Sequence, residues 1–203
     1  VRLRMRSDVP YGAYLSGGVD SSLIVKYMSS IMGRCDTYTA EIKDKDLNEK
    51  KHAARVAMQY QTNHTNIEVE YGEIKLNFLR KMARTFGQPF ADSSAIPTYL
   101  ISKKISESVA VALGGDGSDE IFCGYNKYNY TDKSIEEKFF RNQDLSFLND
   151  KYVRDTYGYM VSKLPYQVKD SQELMRLMDI RFFLEGDILQ KVDRLSMANS
   201  LEV

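Results

Sequence analysis

Apolar residues in this chain arrive in short blocks separated by stripes at helical spacing. Pro10 to Leu15 is a short apolar run that breaks into Ser16-Gly17-Gly18, after which Leu23, Ile24, Tyr27, Met28 and Ile31 recur with a helical period. The pattern predicts strand, tight turn, helix. Thr37 to Ile42 alternates β-branched and aromatic residues like a second strand, and Leu47 to Tyr60 predicts a helix with Ala53, Val56, Ala57 and Tyr60 inward. Asn63 to Val69 is a third strand candidate, and Ile74 to Phe86 and Ile96 to Ile105 carry helical periodicity. Val109 to Leu113 is a continuous apolar run, short enough to be a strand buried on both faces, and it too ends in glycines, Gly114 and Gly115.

Strands alternating with helices through about residue 125 predict βαβ units, and hence an α/β fold with a doubly wound parallel sheet flanked by helices. From Tyr125 to about Asp170 the chain turns polar, with aromatics interleaved, and is expected to be partly helical and peripheral. Glu173 to Met197 returns to helical periodicity, so the C-terminal part is expected to be mostly helical. In doubly wound sheets ligands sit at the carboxyl ends of strands, which directs attention to the two Gly-rich breaks after Leu15 and Leu113.

Composition narrows the choice of partner. At 203 residues and 43% hydrophobic content the chain can bury a sizeable core, which excludes general disorder. Lys and Arg (28) balance Asp and Glu (28), so no global field draws it to nucleic acid or an anionic membrane, and neither is an expected partner. Any polyanion must be gripped locally. Cys35 and Cys123 are too few for a disulfide scaffold and lack CxxC spacing, which fits a reducing, cytoplasmic location. The chain begins without Met and stops at Leu201-Glu202-Val203 with no turn residue to close it, so both ends are expected to be cut edges of a longer protein.

Two constellations carry chemistry. Ser16-Gly17-Gly18-Val19-Asp20-Ser21-Ser22 joins a predicted strand to a predicted helix. Glycines there let backbone N–H groups turn toward an anion, and the helix N-terminus adds about half a positive charge. It is not a Walker loop, because Asp20 stands where that loop needs Lys. Asp20 would repel phosphate unless a divalent cation stood between them, so the sign of the charge implies Mg²⁺. The plain alternative is a Gly turn with a Ser/Asp helix cap. Gly114-Gly115-Asp116-Gly117-Ser118-Asp119-Glu120 follows a predicted buried strand and crowds three carboxylates beside three glycines. Its alternative is an acidic first helical turn.

Together the two loops resemble a known family. The first looks like the pyrophosphate-binding loop of the N-type ATP pyrophosphatases (PP-loop superfamily), and Gly114 through Tyr125 is similar to the second motif of the asparagine synthetase synthetase domain. Gln88 to Tyr99, and Asp187 to Met197 running into Ser200-Leu201-Glu202, agree with it in the same order. The resemblance implies that one synthetase domain fills the whole chain, with a nucleotide-binding core over 1–125 and a mostly helical extension over 126–203. It also implies a ligase. A carboxylate, aspartate in the commonest case, attacks the α-phosphate of ATP, pyrophosphate leaves, and ammonia displaces AMP to give an amide.

By family position, Ser16, Gly17, Gly18, Asp20, Ser21 and Ser22 bind ATP and its pyrophosphate, and Leu15, Ala40, Gly114 and Gly115 contact adenosine. Asp20 and Asp119 match the Mg²⁺ pair, and Asp92, Ser93 and Ser94 lie in the segment associated with the acceptor acid. Asp116, Asp187, Lys191 and Arg194 match catalytic positions, although Asp116 stands where the family usually has Glu, one methylene longer. The last three have a plain alternative as charge pairs along a helix. The family's N-terminal glutaminase, which supplies ammonia, has no counterpart here, nor does the C-terminal end of the synthetase domain. A homodimer is left open. Rival readings are a relative acting on another carboxylate, such as a β-lactam-forming or surface-polysaccharide enzyme, and a nucleotide-binding module without turnover. His52, His64 and Cys123 lack ligand or nucleophile partners in sequence and are not assigned roles.

Overall fold

The computed structural model describes residues 1–41, 49–69, 74–129, 150–168 and 170–203. It divides into two compact units, Val1–Gly115 with Gln190–Val203, and Asp116–Leu189.

The first unit is built on four parallel strands: β1 (Tyr11–Tyr14), β2 (Asp36–Glu41), β3 (Asn63–Glu68) and β4 (Val111–Leu113), in spatial order β3-β2-β1-β4. Parallel pairing demands crossovers, which helices supply. α1 (Val19–Met32) joins β1 to β2, and α2 (Lys50–Gln59) joins β2 to β3. α3 (Leu76–Phe86) and α4 (Ala95–Ile105) lie between β3 and β4. The chain runs outward from β1 through β2 to β3 and then returns to the other side of β1. The strand order therefore reverses between β1 and β4, the position at which doubly wound sheets open a ligand crevice. Both glycine loops leave the sheet there.

One face of the sheet packs Ala13 and Leu15 against Val25 and Met28 of α1 and Ala53 and Ala57 of α2. The other face packs Tyr38, Ile67 and Ala112 against Ile105 of α4 and Leu201. The doubly wound expectation is met, and Val56 and Tyr60 join Ala53 and Ala57 on the inward side of α2 as expected. In α1 the stripe differs: Ser21, Val25 and Met28 are buried, whereas Leu23, Tyr27 and Ile31 are exposed. Ser21 is fixed by bonds to the preceding loop, and this sets the phase of the helix. Beyond β4, the Ala112 N–H donates to the Glu202 carbonyl at 2.8 Å and the Glu202 N–H to the Ala110 carbonyl at 2.9 Å, a parallel bridge on the edge of the sheet.

The second unit carries α5 (Ser118–Phe122), a 3-10 turn (Asn126–Asn129), α6 (Asp150–Ser162), α7 (Ser171–Met178) and a π-helix (Asp179–Ile188). α8 (Leu189–Met197) follows. Asp170 caps α7 by accepting the Glu173 N–H at 2.8 Å. The helical stretch expected from Glu173 to Met197 is thus interrupted by ten residues wound more widely, because a hydrophobic period near 3.6 does not separate i→i+5 from i→i+4 bonding over so short a span. Residues 130–149 of the segment expected to be peripheral, and the ends of two expected elements, Ile42 and Leu47, lie outside the described residues. Among the described residues no helix is long and apolar enough to cross a membrane.

Candidate active site

β1 ends at Tyr14, and Leu15 is buried and tied across to β2. Its N–H donates to the Tyr38 carbonyl at 2.8 Å, and the Thr39 hydroxyl donates to its carbonyl. Ala40, the other expected adenosine contact on this side, lies one residue from the end of β2 in register with Ile67. The chain turns at Gly17, with φ of +84°, and enters α1 through its N-cap, Gly18. A Cβ on Gly17 would lie 2.5 Å from the Ala53 nitrogen and the His52 carbonyl carbon, so the first turn of α2 packs directly on the loop.

Inside the loop the hydroxyls of Ser16 and Ser21 lie 2.9 Å apart, the Gly18 N–H donates to Ser16 Oγ at 3.2 Å, and Ser21 Oγ lies 3.3 Å from the Gly18 carbonyl. The turn is therefore pre-shaped by its own side chains. The Ser22 hydroxyl is buried and finds no hydrogen-bond partner among the described residues. An unmade bond of this kind costs about 1–3 kcal/mol, and a phosphate oxygen would supply it. Gly115 brings the second loop against the first: a Cβ there would meet Asp20 Cβ and the Ser21 nitrogen, each at 3.5 Å. Loop, glycines, serines and Asp20 thus converge at the switch point, beside the positive end of α1. Gly114 precedes them, partly buried.

Elsewhere in this unit the structure joins two motifs that sequence kept apart. Asp92 Oδ1 accepts the Ser94 N–H at 2.8 Å, and Asp92 Oδ2 accepts from Lys191 Nζ at 2.5 Å. Burial alone would raise the Asp92 pKa, but the Lys191 ammonium and the Ser94 N–H outweigh it and hold the carboxyl below its ordinary range. Arg194 donates to the carbonyl of Phe86, the last residue of α3, and so satisfies a helix-end acceptor. Lys191 and Arg194 thus find partners outside their own helix. Phe86 stacks on Phe90 with ring centroids 4.0 Å apart. A cleft of about 810 Å³ opens here, lined by Met82, Phe86, Phe90, Asp92, Ser93 and Ile96.

In the second unit Asp116 is exposed and Gly117, with φ of +87°, caps α5. Asp119 sits against Gly124: its carbonyl accepts the Gly124 N–H at 3.0 Å, and a Cβ on Gly124 would fall 1.9 Å from Asp119 Oδ1. Only glycine leaves room for that carboxylate. Glu120 is fully buried; Oε1 accepts from the Tyr125 hydroxyl at 2.8 Å, and Oε2 has no partner among the described residues. Burial, then the Glu120 carboxylate, push the Tyr125 phenol far above its ordinary value. Lys127 pairs with buried Asp179 at 2.7 Å, and Tyr128 donates to the same carboxylate at 2.6 Å. Asp187 lies partly buried on the π-helix.

Sequence reasoning assigned no role to Gly124, Thr39, Lys127 or Asp179. For Gly124 the signal is local, since it is the last glycine of the motif that runs from Gly114 to Tyr125. The other three act through contacts between distant segments. Among the described residues no group of three or more His, Cys, Asp or Glu side chains is arranged to hold a metal by itself.

The family model described as asparagine synthase matches residues 1–203. The chain belongs to that family. It is similar over its whole length to asparagine synthetase (glutamine-hydrolyzing) 1 of Bacillus subtilis, at 28% identity, covering 39% of that protein. It is also similar, at 33% identity over 60% of the chain, to asparagine synthetase (glutamine-hydrolyzing) 2 of Oryza sativa subsp. japonica, covering 22% of that protein. The chain therefore spans about two fifths or less of the relatives it matches.

Proposed function

We propose that the protein carrying this chain is an AMP-forming carbon–nitrogen ligase that adenylates a carboxylate, aspartate in the first instance, and transfers ammonia to it. The observation that carries the reading is the Ser16–Ser22 loop, pre-shaped at the carboxyl end of β1 with the buried Ser22 hydroxyl unpartnered and Gly115 against Asp20. Family membership supports the same chemistry.

In the first step a carboxylate oxygen bonds to the α-phosphorus while the bond from that phosphorus to the bridging oxygen breaks and pyrophosphate leaves. The N–H groups of Gly17 and Gly18, and the hydroxyls of Ser16, Ser21 and Ser22, would take up the charge developing on the leaving group. Mg²⁺ on a nucleotide takes one or two protein carboxylates and completes its shell with phosphate and water oxygens, and Asp20, in the first turn of α1, fits that requirement. Bound there, the ion would neutralise phosphate charge. Asp119 is carried over as its second ligand. Leu15, Ala40, Gly114 and Gly115 would hold adenosine. In the second step ammonia attacks the acyl carbon, AMP departs and a proton is lost from nitrogen. Asp116 is the residue assigned to that proton or to orienting the attack, with Asp187, Lys191 and Arg194 serving near the phosphates, and Asp92, Ser93 and Ser94 serving the acceptor acid. The ammonia would come from a glutaminase domain of the same protein, in a soluble cytoplasmic setting.

The Phe86 and Phe90 rings beside Asp92 favour a second reading, a more apolar acceptor acid. Pyrophosphate release by the full-length protein with ATP, Mg²⁺ and ammonia, across aspartate and a panel of other carboxylates, separates the two. Release that depends on aspartate supports the first, release only with an apolar acid supports the second, and carboxylate-independent or absent release rejects both.

A further inference from the structure

Glu41 closes β2 and has no part in the roles assigned above. Three observations place it at the nucleotide loop. β2 lies beside β1 in parallel register, so Glu41 stands on the same carboxyl edge of the sheet as Ser16–Ser22. The two strand ends are locked together by the bonds from the Leu15 N–H to Tyr38 and from the Thr39 hydroxyl to Leu15. The first turn of α2, which begins at Lys50, packs on Gly17 through His52 and Ala53. Lys50 joins these elements: its Nζ donates to both Glu41 carboxylate oxygens, at 2.7 and 2.8 Å, with the pair still 43% and 31% exposed.

A lone carboxylate near a triphosphate would repel it, and the Lys50 ammonium cancels that charge. A carboxylate offers about four acceptor sites, so one ammonium leaves Glu41 able to accept from further donors. Stability alone gives little reason for the residue, because an exposed ion pair is worth about 0–1 kcal/mol and the cross-strand neighbour of Glu41 in register is Glu68, a like charge. In dinucleotide-binding doubly wound folds, an acidic side chain about 20 residues past the glycine turn accepts from a ribose hydroxyl, and Glu41 stands at a comparable remove from Gly17 and Gly18.

We infer that Glu41 is a ribose-hydroxyl acceptor that makes this site prefer ribonucleotides to deoxyribonucleotides. The inference rests on the ATP reading given above. Its test is calorimetric titration of the full-length protein with ATP, 2′-deoxy-ATP and 3′-deoxy-ATP in Mg²⁺. The wild type should bind ATP about tenfold more tightly than at least one deoxy analogue, the range of a hydrogen bond to a charged acceptor. Glu41→Ala should bring the ratio of the ATP and deoxy-analogue affinities to about one, since the freed Lys50 ammonium acts on both nucleotides alike. Glu41→Gln, which keeps shape and a neutral acceptor, should retain only about a two- to threefold preference. Equal binding of all three nucleotides by the wild type, or a preference that survives in Glu41→Ala, would overturn the assignment. A wild type that binds none of them would overturn the nucleotide reading itself and this assignment with it.

Discussion

Lys191 Nζ donates to Asp92 Oδ2 at 2.5 Å, joining positions 99 residues apart in the sequence. The two side chains are 12% and 23% exposed, so the charges are largely withdrawn from water. Removing one member of a shielded pair leaves the other charge uncompensated, which costs more than the pair itself contributes. Lys191→Met should therefore destabilise the fold by about 1–3 kcal/mol in urea titration, below the 3–5 kcal/mol of a fully buried pair. Lys191→Met with Asp92→Leu should recover most of that stability but none of the pyrophosphate-releasing activity. A stable double variant with full activity would make the pair a strut and nothing more.

Gly17 has no space for a side chain and adopts a left-handed conformation. Gly17→Ala should force α2 away from the loop, lowering ATP affinity about 100-fold or more while costing about 1–3 kcal/mol of stability. Calorimetric ATP titration together with thermal unfolding checks both numbers. Unchanged ATP affinity would remove the loop from the nucleotide site.

Gly124 gives way to the Asp119 carboxylate. Gly124→Ala should displace that carboxylate and raise the Mg²⁺ concentration for half-maximal pyrophosphate release about tenfold, the loss of one ligand's share of a metal site. A Mg²⁺ titration at saturating ATP reads it directly. An unaltered Mg²⁺ dependence would remove Asp119 from the metal role.

His64 Nδ1 lies 3.0 Å from the Thr37 hydroxyl, which in turn lies 2.8 Å from that of Thr62. Burial is the main cause that lowers the His64 pKa below its ordinary value. The unfolded chain therefore takes up the proton first as pH falls. The stability linked to this histidine is fully present above about pH 6.5 and is lost as pH falls through the lower folded value. Thermal midpoints measured between pH 7.5 and 5, values chosen to bracket about pH 6.5, should fall more steeply for the wild type than for His64→Gln. Parallel curves would contradict this.

Much of the fold was legible because β1 and β4 lie in compact apolar runs that end in glycine turns, the kind of block a parallel sheet buries. The run Val109 to Leu113 ending at Gly114 shows this most clearly. The phase of α1 was not legible, since Ser21 is anchored by Ser16 rather than chosen for its hydrophobicity. Nor was the π-helix, whose period differs too little from that of an α-helix. Within the site, loop residues such as Ser16 to Ser22 announce themselves because their chemistry is local. The packing of His52 on Gly17, the ion pair of Lys191 with Asp92 and the burial of Asp179 against Lys127 depend on tertiary approach, which no single-segment pattern encodes.

In the proposed adenylation a carboxylate oxygen of the acceptor acid bonds to the α-phosphorus of ATP. Turnover by the full-length protein with acceptor acid labelled with ¹⁸O in its carboxylate, followed by mass spectrometry of the nucleotide product, tests it most directly. AMP should carry one ¹⁸O on its phosphate, in step with amide formed. Unlabelled AMP, or ADP in its place, would contradict it.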